Sequence, residues 1–157
     1  MLAKLSAVLG LIVLVQTPAL GDDAAVEKAR LARTLWSAFQ CSTYAEMFGD
    51  TNEQSRLFDV GMKAGRAFLD AVNNKQIPPE VANREVPFGV ITLLQGPTSD
   101  FILGRVFENA MRDAFDRIVK QDDHGFALEP SKWLNNKILR QSMAKTKYLS
   151  ANCVLVK

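Results

Sequence analysis

From residue 26 onward, apolar residues recur at three- and four-residue steps, which is the period of an α-helix. Val26, Ala29, Ala32 and Trp36 follow one track and Leu31, Leu35, Phe39 and Ala45 the next. Glu27, Lys28, Arg30 and Arg33 fall mostly on the other side. This pattern predicts a first helix capped at Asp22-Asp23 and stopped at Gly49. A second begins at Asp50-Thr51, where Thr51-Asn-Glu-Gln54 has the form of a capping box, and ends near Asn73-Asn74. Its apolar stripe is Leu57, Gly61, Ala64, Phe68 and Val72. Gly61 and Gly65 each weaken a helix interior by about 1 kcal/mol relative to Ala, so their presence predicts a neighbour packed close against bare backbone.

The periodicity breaks at Gln76–Pro87, whose three prolines predict an extended loop. Val86 to Leu94 is strongly apolar and bounded by Gly96-Pro97, which suits a short buried helix begun by Pro87. Thr98-Ser99-Asp100 then caps the clearest helix in the chain, from about Ser99 to Lys120. Phe101, Ile102, Val106, Phe107, Ala110, Ala114, Ile118 and Val119 form its apolar face, while Glu108–Arg112, Asp113–Arg117 and Asp116–Lys120 pair opposite charges at i, i+4 on the other. A polar loop over Gln121–Pro130 leads to a last helix capped by Ser131 and running from Lys132 to about Lys147. The whole reads as an all-α bundle of four to five helices in one domain, residues 22–157.

The first twenty-one residues have a different character. Lys4 precedes the apolar run Leu5–Val15, and small residues stand at Ala19 and Gly21 before charges begin at Asp22. This is the form of a secretory signal peptide cut after Gly21, and the run is shorter than the roughly 20 residues that span a bilayer. The expectation is a periplasmic or secreted chain with no membrane anchor once the leader is removed. Export changes the meaning of the two cysteines. In an oxidising compartment Cys41 and Cys153 are most simply one disulfide, tying the first helix to the C-terminus. A redox or nucleophilic thiol would want a Cys-x-x-Cys or a nearby base, and neither is present in the sequence.

Composition narrows the chemistry. With 19 Lys and Arg against 17 Asp and Glu the net charge is +2, and basic residues are interleaved with acids along the helices, so no nucleic-acid stripe is expected. One His and two Cys are too few for a zinc site, no glycine-rich phosphate loop occurs, and neither a metal nor a cofactor is expected. Asp122-Asp123-His124-Gly125 is the densest polar cluster. A small hydrolase would use His124 as a base oriented by Asp122 or Asp123 and acting on Ser99, Ser131 or Ser142. The plainer reading is a solvated loop. A small-molecule carrier would need an apolar pocket between helices near Gly61, Gly65 and Phe107. Recognition of another protein is the leading expectation. Its candidate surface is the proline-rich edge Ile77, Pro78, Pro79 and Glu80 with Phe88, together with Trp133; the neighbouring segment 95–100 adjoins it.

Early Cys41, Gly61-Met-Lys-Ala-Gly65, Ile77-Pro-Pro-Glu-Val81, Gln95-Gly-Pro-Thr-Ser-Asp100 before a long amphipathic helix ending in Ala114-Phe115, and terminal Cys153 together form a pattern. It resembles small exported bacterial helical proteins, including the periplasmic immunity proteins that neutralise type VI secretion effectors. The resemblance covers most of residues 35–155. It implies a non-catalytic inhibitor that plugs the site of a cell-wall-degrading enzyme.

Overall fold

Helix α1 (Leu20–Phe48) is the spine against which the other helices pack. The computed structural model describes residues 20–157, which form six α-helices and two short 3-10 turns with no strand among them. After α1 come α2 (Thr51–Asn73), α3 (Pro79–Glu85), α4 (Phe88–Ile91), α5 (Ser99–Val119) and α6 (Lys137–Ser150). The all-α class expected from the sequence is therefore present. The leader expected at residues 1–21 lies, apart from its last two residues, outside the described residues. No described helix is long and apolar enough to cross a membrane.

The spine works because its inward face is small. Ala25, Ala29, Ala32, Ala38 and Ala45 are buried at helical spacing, so neighbouring backbones approach closely while Leu35 and Phe39 fill the gaps. Two apolar clusters share α1. The first joins its N-terminal half to Phe68, Val81, Val90, Leu103 and Val106. The second joins Cys41, Tyr44 and Ala45 to Leu57, Ile118, Tyr148 and Cys153. Gly49, at φ 92°, reverses the chain between α1 and α2. Its N–H donates to the Glu46 carbonyl at 3.0 Å and that of Asp50 to the Ala45 carbonyl at 2.9 Å, which closes the last turn of α1. The glycines of α2 meet side chains of neighbouring helices: Gly61 lies under the Phe39 ring, and Gly65 under Leu103 and Leu35.

Cys41 and Cys153 form the expected disulfide, with Cα atoms 5.5 Å apart across 112 residues of sequence. A polar clasp lies beside it. Arg56 of α2 donates to both carboxylate oxygens of Glu53, at 2.7 and 2.6 Å, and to the Val156 carbonyl at 2.8 Å. The Tyr148 hydroxyl of α6 donates to the same carboxylate. Hydrogen-bonded Arg56 holds Glu53 down at about 2, and burial followed by the Glu53 bond pushes Tyr148 up to about 12. The C-terminal tail is thus fixed twice, by sulfur and by charge.

Four local expectations need correction. The helix is already formed at Leu20, so Asp22-Asp23 lie inside α1 and do not cap it. The cap of α2 is Asp50, one residue before the expected Thr51; its carboxylate accepts the Glu53 N–H at 3.0 Å, while the Glu53 carboxylate is taken by Arg56. The segment 76–87 is not an extended loop, because Pro79 stands at the first position of α3, where a missing N–H costs nothing. The last helix starts at Lys137 with Asn136 as its cap, not at Lys132 with Ser131; Pro130–Lys132 is a single 3-10 turn, and the Asn136 side chain accepts the Leu139 N–H at 3.0 Å. The short helix expected after Pro87 is α4, and the three i, i+4 ion pairs of α5 are all formed.

Candidate functional site

The proline edge forms a corner where α3 and α4 meet α1. Arg33 of α1 donates to the Glu85 carbonyl at 2.7 Å and stands 3.0 Å from its carboxylate, which Arg84 also contacts at 3.0 Å. Arg84, then Arg33 and Arg30, lower the Glu85 pKa below the usual carboxylate range. Glu85 is therefore a latch between elements. Of the residues expected to face a partner, Ile77 packs on the core and Pro78 is half-buried, whereas Pro79 and Glu80 are exposed. Phe88 is 81% exposed. Behind it, the Trp36 ring lies against Gly89 so closely that any side chain there would collide with it.

Trp133 is not part of that corner. The Asn109 amide of α5 reaches the Gly89 carbonyl at 3.4 Å, whereas Trp133 meets Lys120 just beyond the end of α5. Eleven helical residues separate those two positions, about 16 Å along the axis. The Trp133 indole N–H donates to the Leu128 carbonyl at 3.1 Å, and the Lys120 ammonium sits over its ring at 5.1 Å and over Phe115 at 5.8 Å.

Lys120 leads into an open groove of about 570 Å³ between α1, α5 and α6. Met47, Met111 and Phe115 supply apolar lining. Glu46, Glu108 and Asp116 alternate around it with Arg112, Lys120, Lys137 and Arg140. Two of the four cations are already neutralised: Arg112 by Glu108 at 2.7 Å and Lys120 by Asp116 at 2.7 Å. Lys137 and Arg140 have no ion-pair partner among the described residues. This groove is not among the sites expected from the sequence. Its signal was faint: Met111 and Phe115 sit at i, i+4 beside the charged face of α5, off the stripe that packs on α1.

The other sequence candidates resolve into structural roles. Asp122 Oδ1 accepts the backbone N–H groups of His124 and Phe126, each at 2.9 Å, so that carboxylate shapes the turn. His124 is exposed at its tip. Around Gly61 and Gly65 the space is filled: Phe107 packs edge-on against Phe39 at 5.1 Å and Phe58 at 5.3 Å. No group of His, Cys, Asp and Glu with metal-binding proximity occurs among the described residues.

Comparison with known proteins adds no relative to this geometry. No family model, no curated protein and no solved structure matches the chain.

Proposed function

We propose that this chain is an exported, non-catalytic binding protein that engages another protein through the α1–α5–α6 groove. The observation that carries the reading is the groove itself: methionines and a phenylalanine in a shallow cleft rimmed by charges of both signs, with Lys120 stacked between Phe115 and Trp133 at one end. Methionine adapts its shape to a partner, aromatic and basic groups anchor it, and alternating charges select it. A bridge that needs oxidising conditions supports export. The pattern resemblance to type VI immunity proteins suggests a cell-wall-degrading enzyme as the partner, plugged by this face.

The test is site-specific photocrosslinking in living cells, with a photoreactive phenylalanine analogue replacing Met111 in one variant and Phe88 in another. The reading expects a covalent adduct at Met111 with a single cell-wall-degrading enzyme whose activity the purified chain inhibits. No adduct at Met111, or an adduct enzyme indifferent to the chain, would refute it. An adduct only at Phe88 would move recognition to the proline corner. The groove volume also suits a small ligand, and native mass spectrometry of the exported chain distinguishes that carrier reading by a bound mass. A hydrolase built on His124 has no comparable support, since Asp122 is committed to backbone amides.

A further inference from the structure

A second cleft, of about 250 Å³, opens between α1 and the C-terminal end of α6, and no residue lines both it and the groove. Ser37, Cys41 and Tyr44, at i, i+4 and i+7, form its α1 wall. Lys147 and Ser150 line it from α6, and Arg117 reaches it from α5. Its charge is unlike that of the groove: two cations line it and no carboxylate does. Cys41 is bridged to Cys153, just past the end of α6. The bond therefore fixes the spacing between the two walls before any ligand arrives, which removes an ordering penalty.

Tyr44 is only 4% exposed, yet its hydroxyl has no hydrogen-bond partner among the described residues. Buried hydroxyls are paired as a rule, because an unpaired one forfeits its hydration. Burial raises the Tyr44 pKa above its ordinary 10; Arg117 opposes the rise and Asp113 adds to it, which places the phenol oxygen near those two side chains. The phenol is therefore protonated, and able to donate, at neutral pH. Asp113 does not itself line the cleft. It holds Arg117 in place, accepting from the guanidinium Nε at 2.8 Å while also accepting from the Gln40 amide. Both terminal nitrogens of Arg117 are left without a partner among the described residues, and Lys147 has no ion pair there either.

We propose that this cleft binds a phosphate group, free or as a monoester, with Ser37, Tyr44, Arg117 and Lys147 as its donors. Two cations without a carboxylate in the lining select an anion. The donors come from three helices around one small space, which suits the several oxygens of a tetrahedral phosphate; a carboxylate offers only two. The buried phenol, short of a partner within the fold, gains one in such a ligand. An ester has room as well. At Ser37 the cleft meets two others, both lined by Arg33, through which an organic group could run along α1. The proposal is independent of what fills the groove, since the two sites share no lining residue.

The experiment is calorimetric titration of the disulfide-closed chain with inorganic phosphate, phenyl phosphate and acetate, at neutral pH and about 0.15 M salt, where exposed charges more than about 8 Å apart are screened. Saturable binding of one phosphate group per chain is expected, with acetate about tenfold weaker or more. Tighter binding of phenyl phosphate assigns the monoester; tighter binding of inorganic phosphate assigns the free ion. Tyr44→Phe removes one oxygen that bonds nothing in the fold, so its urea midpoint should not fall, while its phosphate affinity drops by about tenfold. Lys147→Gln should lose a similar factor, and Lys145→Gln, outside the lining, should lose none. No saturable phosphate binding, acetate as tight as phosphate, full affinity in Tyr44→Phe or Lys147→Gln, or an equal loss in Lys145→Gln would each overturn the proposal. A lowered urea midpoint for Tyr44→Phe would overturn it too, since the hydroxyl would then have a partner within the fold.

Discussion

Glu53 is the hinge of the C-terminal clasp, and Glu53→Gln isolates it. In the unfolded chain this carboxylate titrates at its ordinary 4.5; in the fold Arg56, hydrogen-bonded to it, holds it at about 2. A depressed value means that the ionised form stabilises the fold above 4.5 and that this contribution drains away as pH falls toward 2. At about 1.4 kcal/mol per pH unit, the interval sets an upper figure of about 3.4 kcal/mol. The Arg56 side chain is 38% exposed, however, and water screens the pair. We expect Glu53→Gln to lower stability by about 1–2 kcal/mol at neutral pH. Urea unfolding followed by circular dichroism, at neutral pH and near pH 3, is the assay. The gap between wild type and variant should shrink by more than half at the lower pH, because the unfolded wild-type carboxylate has by then taken up its proton. A gap of the same size at both pH values would refute the electrostatic account and leave Glu53 as mere packing. The alkaline side has the opposite sign. Tyr148, raised to about 12, stabilises the fold while it remains neutral, so this contribution is complete below 10 and is lost as pH rises through about 12.

Two further outcomes follow from the same structure. Replacing Cys153 with Ser opens a loop spanning 112 residues, which in the chain-entropy picture removes at most about 4.8 kcal/mol; reductant added to the wild type should shift its urea midpoint by a similar amount and leave the variant unmoved. Gly61→Ala, normally a helix-stabilising change, should instead destabilise by about 1–3 kcal/mol because the new methyl meets the Phe39 ring, as a lowered melting temperature would report.

The sequence made α5 legible because each of its levels agrees: a Thr98 cap, a broad apolar stripe and three charge pairs at helical spacing. The disulfide was legible from the cysteine count once export was assumed. Where expectations failed, two local signals competed and tertiary structure chose between them. Pro78-Pro79 satisfies both an extended path and a helix start, and burial of Val81 against the core selects the helix. Ser131 is as good a cap as Asn136, but the Leu134 N–H bonded to the Val119 carbonyl at 3.0 Å, and the Trp133 indole bonded to Leu128, hold residues 133–134 out of a helix. Neither partner is visible in a local window. The groove escaped for a related reason: its walls come from three helices, and what brings Met47 beside Met111 is packing of the spine, not spacing along the chain.

The sulfur bridge also decides what a single proteolytic cut can do to the molecule. Everything between residues 41 and 153 lies inside a covalent ring. A protease that cuts once anywhere in that ring, such as at the exposed turn around His124, linearises the ring without dividing the molecule. The severed halves remain joined and held in register by the two apolar clusters. Such a nicked molecule runs as one species on a non-reducing gel and as two when reduced. One cut in the ring therefore leaves a single covalent molecule.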